Sequence, residues 1–370
     1  MTTERLKTTA QRLLPKNRFA RSVSILAGGT AAGQIIVVAA SPILTRLYSP
    51  EDFGVLAVFA SLLGVLGVIA SLRYQLAIPL PETDEEAANV TVLSLVVVLG
   101  MALITAAVAI PLRQPIAEAL NTPLLADYIW LLPLGLLLMG VYEVFNYWAI
   151  RTKAFGAIAQ TRLTQSVSMV AIQIGGYALG PVALLIGRVL GQAAGTSRLG
   201  SLIKKTYGQL FLDVRFSGIA TSAKNYRGFP LRSTWTGLAS SGGTHLPPLL
   251  IASLLGAGSA GLYALTHRVL SVPMTVVGKA VGDVFYREAA EAYREERLAP
   301  LVASVNAKLI EAALPIAFVF FLAAPAAFTL IFGPDWKEAG YVAQWMIPWL
   351  FFQFITTPPT RVYPIMDRHG

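Results

Sequence analysis

Arg268 stands beside His267 in the middle of an apolar run that opens near Gly258. Ten helical residues at about 1.5 Å each place it about 15 Å deep, half of a roughly 30 Å hydrocarbon core. An arginine at that depth costs about 2.5 to 3.5 kcal/mol on insertion scales. Two arrangements meet that cost: a wet cavity in which the planar guanidinium grips an anion through paired hydrogen bonds, or an internal acid such as Glu143. Arg188 lies about 9 Å from the outer end of its own run, where it either joins an anion site or reaches up to the headgroups. Glu143, within Val141-Tyr142-Glu143-Val144-Phe145-Asn146, is a candidate carrier of a coupling proton, with a structural hydrogen bond as the plainer alternative. His267 reads plainly as a packing residue and more sharply as a neighbour of the Arg268 anion site. Arg46 precedes Glu51 and Asp52, so a local ion pair competes there with a ligand contact. Arg73 closes the second apolar run. The candidate substrate contacts are therefore Arg268, His267, Arg188, Arg46 and Arg73, and the candidate coupling residue is Glu143.

The elements that position these side chains are membrane spans. Hydrophobic residues make up 55% of the 370 residues and charged ones 13%, more apolar surface than one soluble core can hide. Apolar runs long enough to cross a bilayer cover 22–44, 53–72, 89–111, 125–148, 163–180, 181–203, 233–256, 258–281, 304–331 and 339–359. The fifth and sixth meet at Gly180-Pro181, where one bent helix would lower the count. The net charge of +9 comes from basic residues between runs, an orientation signal with no basic domain for nucleic acid. Almost all of them fall on one side of the alternation, leaving Arg46, Arg113 and Lys337 on the other. Both termini are thus expected in the cytoplasm. The basic stretch with Arg5, Lys7, Arg12, Lys16, Arg18 and Arg21, ahead of Val38-Ala39-Ala40, resembles a signal peptide, but nine further runs and a repeat partner speak against cleavage.

That repeat has an offset of 207 residues: Leu47, Gly54 and Ala57 fall on Leu254, Gly261 and Ala264. A span, a tight turn and a second span recur at the start of each half. The expected order is a basic cytoplasmic N-terminus (1–21), a six-helix lobe (22–203), a basic connector (204–232) with Lys204, Lys205, Arg215, Lys224, Arg227 and Arg232, and a four-helix lobe (233–370). The fold class is all-α, a polytopic membrane protein of about ten helices in two lobes around a central cavity. The run from 233 holds Thr234, Thr236, Ser240, Ser241, Gly242, Gly243, Thr244 and His245, and such polarity is expected to line the cavity. Asp283 to Leu298 reads as a cytoplasmic helix, with a position on the membrane surface as one option. Gly187, Gly191 and Gly195, like Gly29 and Gly33, make stripes for close helix packing. Prolines such as Pro42, Pro247, Pro315 and Pro348 predict kinks.

Enzymatic constellations are missing. His245, His267 and His369 are scattered, no Gly-x-Ser-x-Gly occurs, Gly278-Lys279 has no upstream glycine of a phosphate loop, and the chain contains no cysteine. No metal site and no cofactor is expected.

Thr45-Arg46-Leu47-Tyr48 with the turn Ser49-Pro50-Glu51-Asp52-Phe53-Gly54 resembles the first hairpin of bacterial lipid-linked oligosaccharide flippases. These form the polysaccharide transport branch of the multidrug, oligosaccharidyl-lipid and polysaccharide exporter superfamily. The resemblance continues through Arg73-Tyr74-Gln75-Leu76-Ala77-Ile78-Pro79, Phe332-Gly333-Pro334-Asp335-Trp336-Lys337-Glu338-Ala339-Gly340 and Pro348-Trp349-Leu350-Phe351. It implies a non-enzymatic transporter that flips undecaprenyl-pyrophosphate-linked oligosaccharide across the bacterial inner membrane for surface polysaccharide such as lipopolysaccharide or exopolysaccharide. It adds a cavity-mouth role to Arg73, and a polysaccharide polymerase or other assembly protein as a partner. Members of that family usually continue with two or more helices, so the second lobe is expected to be incomplete. The alternatives are a small-molecule exporter of the same superfamily, which would want an acidic cavity, and a membrane polysaccharide polymerase or ligase.

Overall fold

The computed structural model describes residues 18–295 and 297–360. Most of the basic N-terminus, together with Arg361 to Gly370 and so His369, lies outside the described residues. Ten long helices follow one another: α1 (Arg18–Leu47), α2 (Pro50–Ile69), α3 (Asp84–Ala109), α4 (Leu131–Arg151), α5 (Phe155–Gly175), α6 (Pro181–Leu212), α7 (Thr234–Leu255), α8 (Ala257–Arg294), α9 (Leu298–Phe332) and α10 (Lys337–Thr360). Each corresponds to one apolar run, and no strand occurs among the described residues. Local chemistry sets the ends. Ser49 and Asp52 form a reciprocal capping box at the start of α2, with Pro50 at its first position. Thr83 caps α3, whose first turn holds Asp84, Glu85 and Glu86 against the helix dipole. The fifth and sixth runs are two helices. The chain turns through Tyr177–Leu179 and reverses at Gly180, whose φ of 66° suits a residue without Cβ, and α5 then packs along α6.

Among the described residues, five helices are long and apolar enough to cross a membrane by length and composition alone: α1 from Ser24, α2, α3, α4 and α9. Polar side chains dilute the others. Within the first half α1 lies on α5, α5 on α6, α6 on α4 and α4 on α3; in the second, α8 and α9 both lie on α10 and α7 lies on α8. Helix α2 bridges the halves, packing on α4 and α6 and more extensively on α7 and α8.

The repeat is visible as reciprocal contact. A Cβ on Gly54 would run into the carbonyl oxygen of Ala257, and one on Gly261 into the carbonyl oxygen of Pro50. At the 207-residue offset Pro50 corresponds to Ala257 and Gly54 to Gly261, so each repeat presents its own glycine to the other's first helical residue. Glu51 and Gly258, also equivalent, touch between them: a Cβ at 258 would lie 3.0 Å from Glu51 Oε1. This is the self-complementary pattern of a two-fold interface, here between two halves of one chain. The same end is closed further by Trp336 of the α9–α10 turn. Its buried indole donates Nε1–H to the Thr45 carbonyl at 3.0 Å and meets Phe53 edge-on at 4.9 Å.

At the opposite end Arg151 binds Asp84 at 2.9 Å and the Pro81 carbonyl at 2.7 Å, clamping the α2–α3 connection. The connector helix Phe216–Asn225 packs on α3, and beyond it Tyr226 donates its hydroxyl to Glu86 at 3.0 Å. Burial, then this hydrogen bond and the carboxylate's charge, raise the Tyr226 pKa. The expected surface helix at Asp283 to Leu298 is corrected: α8 runs unbroken to Arg294, and Phe285 and Ala289 are buried against Leu298, Leu301, Val302 and Val305. Apolar positions four residues apart, too sparse to mark a span, pair this segment with the start of α9.

Candidate functional site

A cavity of about 460 Å³ lies between α1, α2, α4, α5, α6 and α8. Its walls carry Arg162 of α5, Arg188 of α6, Arg268 of α8 and Glu143 of α4, with Gln34, Gln165, Gln173 and Gln192 among the neutral polar groups. Arg268 sits three turns into α8, on the same helix as the Gly261 crossing, and its guanidinium lies over the Phe53 ring at 5.9 Å. Arg188 is deep in the bundle yet exposed, because its accessible surface is the cavity wall. Arg162 lies over the fully buried ring of Tyr142 at 5.2 Å. These aromatic faces hold each cation without neutralising it.

The three guanidinium groups act on one another as like charges, Arg188 on Arg268 and Arg162 on Arg188. Among the described residues the ion pairs are Arg151–Asp84 and Arg297–Glu295, so no carboxylate pairs with any of the three. The acid that Arg268 could have paired with, Glu143, lines the same cavity but interacts with Arg162 and with Arg73. A polar cavity with three arginines that form no ion pair among the described residues and one acid in its wall can hold an anion of two or more charges through directed N–H donors. It offers no general-base pair and no nucleophile with an adjacent base.

Arg268, Arg188 and Glu143 are thus brought together, and the other three candidates stand apart from the cavity. His267 stacks on Tyr263 at 5.8 Å. Arg46 donates to the Pro42 carbonyl of its own helix. Its expected ion pair with the turn acids is absent among the described residues, because Asp52 is engaged in the α2 cap and Glu51 rests against Gly258. Arg73, in the left-handed region at φ 66°, packs toward Gly237 of α7, with its Nε buried and unpartnered. The expectation for α7 also changes, since none of its residues lines this cavity. Instead the His245 ring occupies the space that Gly64 leaves on α2.

Arg162 is the cavity residue the sequence reading missed. The fifth apolar run opens only at residue 163, just past Arg162, because Gln160 and Arg162 lower the local hydropathy, yet α5 begins at Phe155. The signal was periodicity: Arg162, Gln165, Ser166 and Met169 share one helical face, and all four line the cavity.

Comparison with known proteins agrees with this fold. The family described as polysaccharide biosynthesis protein matches residues 43–340. The succinoglycan biosynthesis transport protein ExoT of Rhizobium meliloti (strain 1021) is 26% identical over 317 residues, 80% of this chain. The chain spans 59% of the length of that relative. An inward-facing multidrug resistance MATE family transporter of the MOP superfamily superposes with a TM-score of 0.63, at 14% identity, over 93% of this chain and 87% of its own. An outward-facing one gives 0.54 at 16% identity, over 93% and 84%. With the match spanning most of its helices and a fold like that of the MATE transporters, this all-α polytopic membrane chain belongs to the polysaccharide biosynthesis protein family.

Proposed function

We propose that the chain flips a polyprenyl-diphosphate-linked oligosaccharide, of the undecaprenyl type, from the cytoplasmic to the periplasmic leaflet of a bacterial inner membrane during surface polysaccharide assembly. The observation that carries this reading is the cluster of Arg162, Arg188 and Arg268 around one cavity, with no carboxylate pairing to any of them among the described residues. A diphosphate and a hydrated sugar must cross hydrocarbon while the lipid tail stays in it. A cationic polar cavity lowers the barrier for the charged and hydroxylated part, replacing lost hydration with fixed N–H donors. The halves, 22–203 and 233–370 joined by 204–232, rock so that α2 and α8 part at their crossing and the cavity opens to each side in turn. Glu143, beside Arg162 and Arg73, is the acid available for a coupling proton. The relative described as a succinoglycan transport protein supports a polysaccharide cargo. Both termini are assigned to the cytoplasm by the excess of basic residues on that side.

The test is reconstitution in vesicles with a fluorescent lipid-linked oligosaccharide, scoring access of a quencher to each leaflet. Transfer between leaflets with no new glycosidic bond is the expected result. Chain elongation would assign the protein to polymerases, and lipid that stays in its starting leaflet would overturn the reading.

A further inference from the structure

Arg198 of α6 is an arginine within an apolar run that the cavity does not use. It stands five residues inside the run that ends at 203, about 7.5 Å along the axis, and it is exposed. A long side chain at that depth ordinarily reaches along its own helix to water. Here the guanidinium is turned across to α5, where Nη2 donates to Gln160 Oε1 at 2.5 Å and Nη1 to Thr164 Oγ1 at 3.4 Å. Both acceptors are neutral, and neither α5 nor α6 contains an acidic residue. The charge is therefore held in place without being neutralised.

The surface around it looks away from the cavity. On α5 the cavity takes Arg162, Gln165, Ser166 and Met169, whereas Gln160, Thr164, Val167 and Ala171 recur at the spacing of the opposite face. Gln160, Val167 and Ala171 are exposed. On α6 a matching stripe runs through Leu190, Ala194, Arg198 and Lys205, of which Leu190, Arg198 and Lys205 are exposed. Gly195 packs at Gln165 and Gly187 at Gln173, an antiparallel register that sets Val167 and Ala171 level with Ala194 and Leu190. The outer face of this helix pair thus has two zones. One is cationic, with Arg198 and Lys205 about 10.5 Å apart along the axis, and the other is an apolar strip that continues from Arg198 toward the middle of the run.

We infer that the outer face of α5 and α6 binds an acidic glycerophospholipid. Its phosphate is held by Arg198, its headgroup extends toward Lys205, and an acyl chain lies along Val167, Ala194 and Leu190. The sequence of zones is that of such a lipid, charge at one end and hydrocarbon at the other. Braced by Gln160 and Thr164, the guanidinium presents its remaining N–H donors to phosphate oxygens in a fixed fork. Basic sites between spans recognise anionic headgroups in this way. On the orientation proposed above, the lipid belongs to the cytoplasmic leaflet, and the site is separate from the cavity that holds the cargo.

Native mass spectrometry of the purified full chain, titrated with phosphatidylglycerol or with phosphatidylcholine, counts the lipid retained. The wild type is expected to bind phosphatidylglycerol more tightly, and to bind sn-glycerol 3-phosphate, which has no acyl chains, only weakly. In Arg198→Ala the affinity for phosphatidylglycerol falls about tenfold, as the loss of one charge-assisted hydrogen bond predicts. Phosphatidylcholine stays within twofold and so reports an intact fold. Arg198→Gln, which keeps a donor toward Gln160, gives the same split if Ala loosens the contact of α5 with α6. Lys224→Ala, at an exposed cation of the connector, changes neither lipid by more than twofold. Equal binding of the two lipids by the wild type, or a loss in Lys224→Ala as large as that in Arg198→Ala, reduces the effect to net charge and overturns the site. Glycerol phosphate bound as tightly as phosphatidylglycerol overturns the acyl strip. A loss in Arg188→Ala matching that in Arg198→Ala places the lipid in the cavity and overturns the outer site while leaving the cavity's anion site standing.

Discussion

An arginine in a cavity wall with no ion-pair partner is expensive, and its removal should be cheap for folding and costly for binding. Arg268, half-buried, fits that description, since Arg188 repels it, Phe53 faces its guanidinium and no carboxylate pairs with it among the described residues. Arg268→Ala is therefore expected to insert and fold normally, because no oppositely charged group is left stranded. Leaflet transfer should drop about 100-fold, the size expected when a desolvated charge contact is truncated. Arg268→Lys should recover only part of this, a point charge replacing a planar fork. His267, stacked on Tyr263 away from the cavity, should accept Gln with little change. Adding Glu143→Gln to Arg268→Ala should restore nothing, because Glu143 faces Arg162 and Arg73; restoration would show that the arginine serves an internal pair. The depth of Arg268 and Arg188 in apolar runs was legible in the sequence, since a charge in a hydropathic stretch stands out. Arg162 was not, because a charge among polar residues looks like loop until the helix around it is known.

At the scale of elements, the ten helices were legible because apolar runs, capping residues and turn glycines agreed. Elsewhere polar faces obscure the sequence reading. Helix α5 begins before its apolar run because its cavity-lining face is polar, and the polar stretch of α7, none of which lines this cavity, sets His245 and Gly237 against α2. Glycines carry the sharpest contrast. A Cβ on Gly54 meets backbone of α8, which cannot yield, whereas one on the exposed Gly28 of α1 meets nothing within 4 Å. Gly54→Ala is expected to lower stability by about 1 to 3 kcal/mol through overpacking. Gly28→Ala should raise it by about 1 kcal/mol, the ordinary helix-interior gain. Thermal melts of both variants in one detergent measure the pair, and a Gly54→Ala protein as stable as the wild type would mean that α2 and α8 part without cost.

At the scale of the molecule, the two halves meet symmetrically at the end where Gly54, Gly261, Glu51 and Gly258 cross and Trp336 reaches across to Thr45. Alternating access requires that this end open. The absence of cysteine makes the requirement directly testable, because every introduced thiol is unique. Single cysteines at the exposed Glu118 and Asp335 are expected to react with an impermeant reagent from outside, and those at Thr206 and Glu295 to be protected; outside labelling at 206 would invert the topology. With the sides fixed, Glu51→Cys and Gly258→Cys can be combined. The Cγ of Glu51 lies 3.8 Å from the position of a Cβ at 258, so the sulfur of a cysteine at 51 falls within bridging reach of one at 258. Oxidation should join the halves at their pseudo-two-fold contact and hold this end shut. Leaflet transfer in vesicles is then expected to stop on oxidation and return on reduction, while each single variant transports under both conditions. Undiminished transfer by the fully cross-linked protein would mean that cargo leaves without parting α2 from α8, and the opening of the halves at that contact would have to be abandoned.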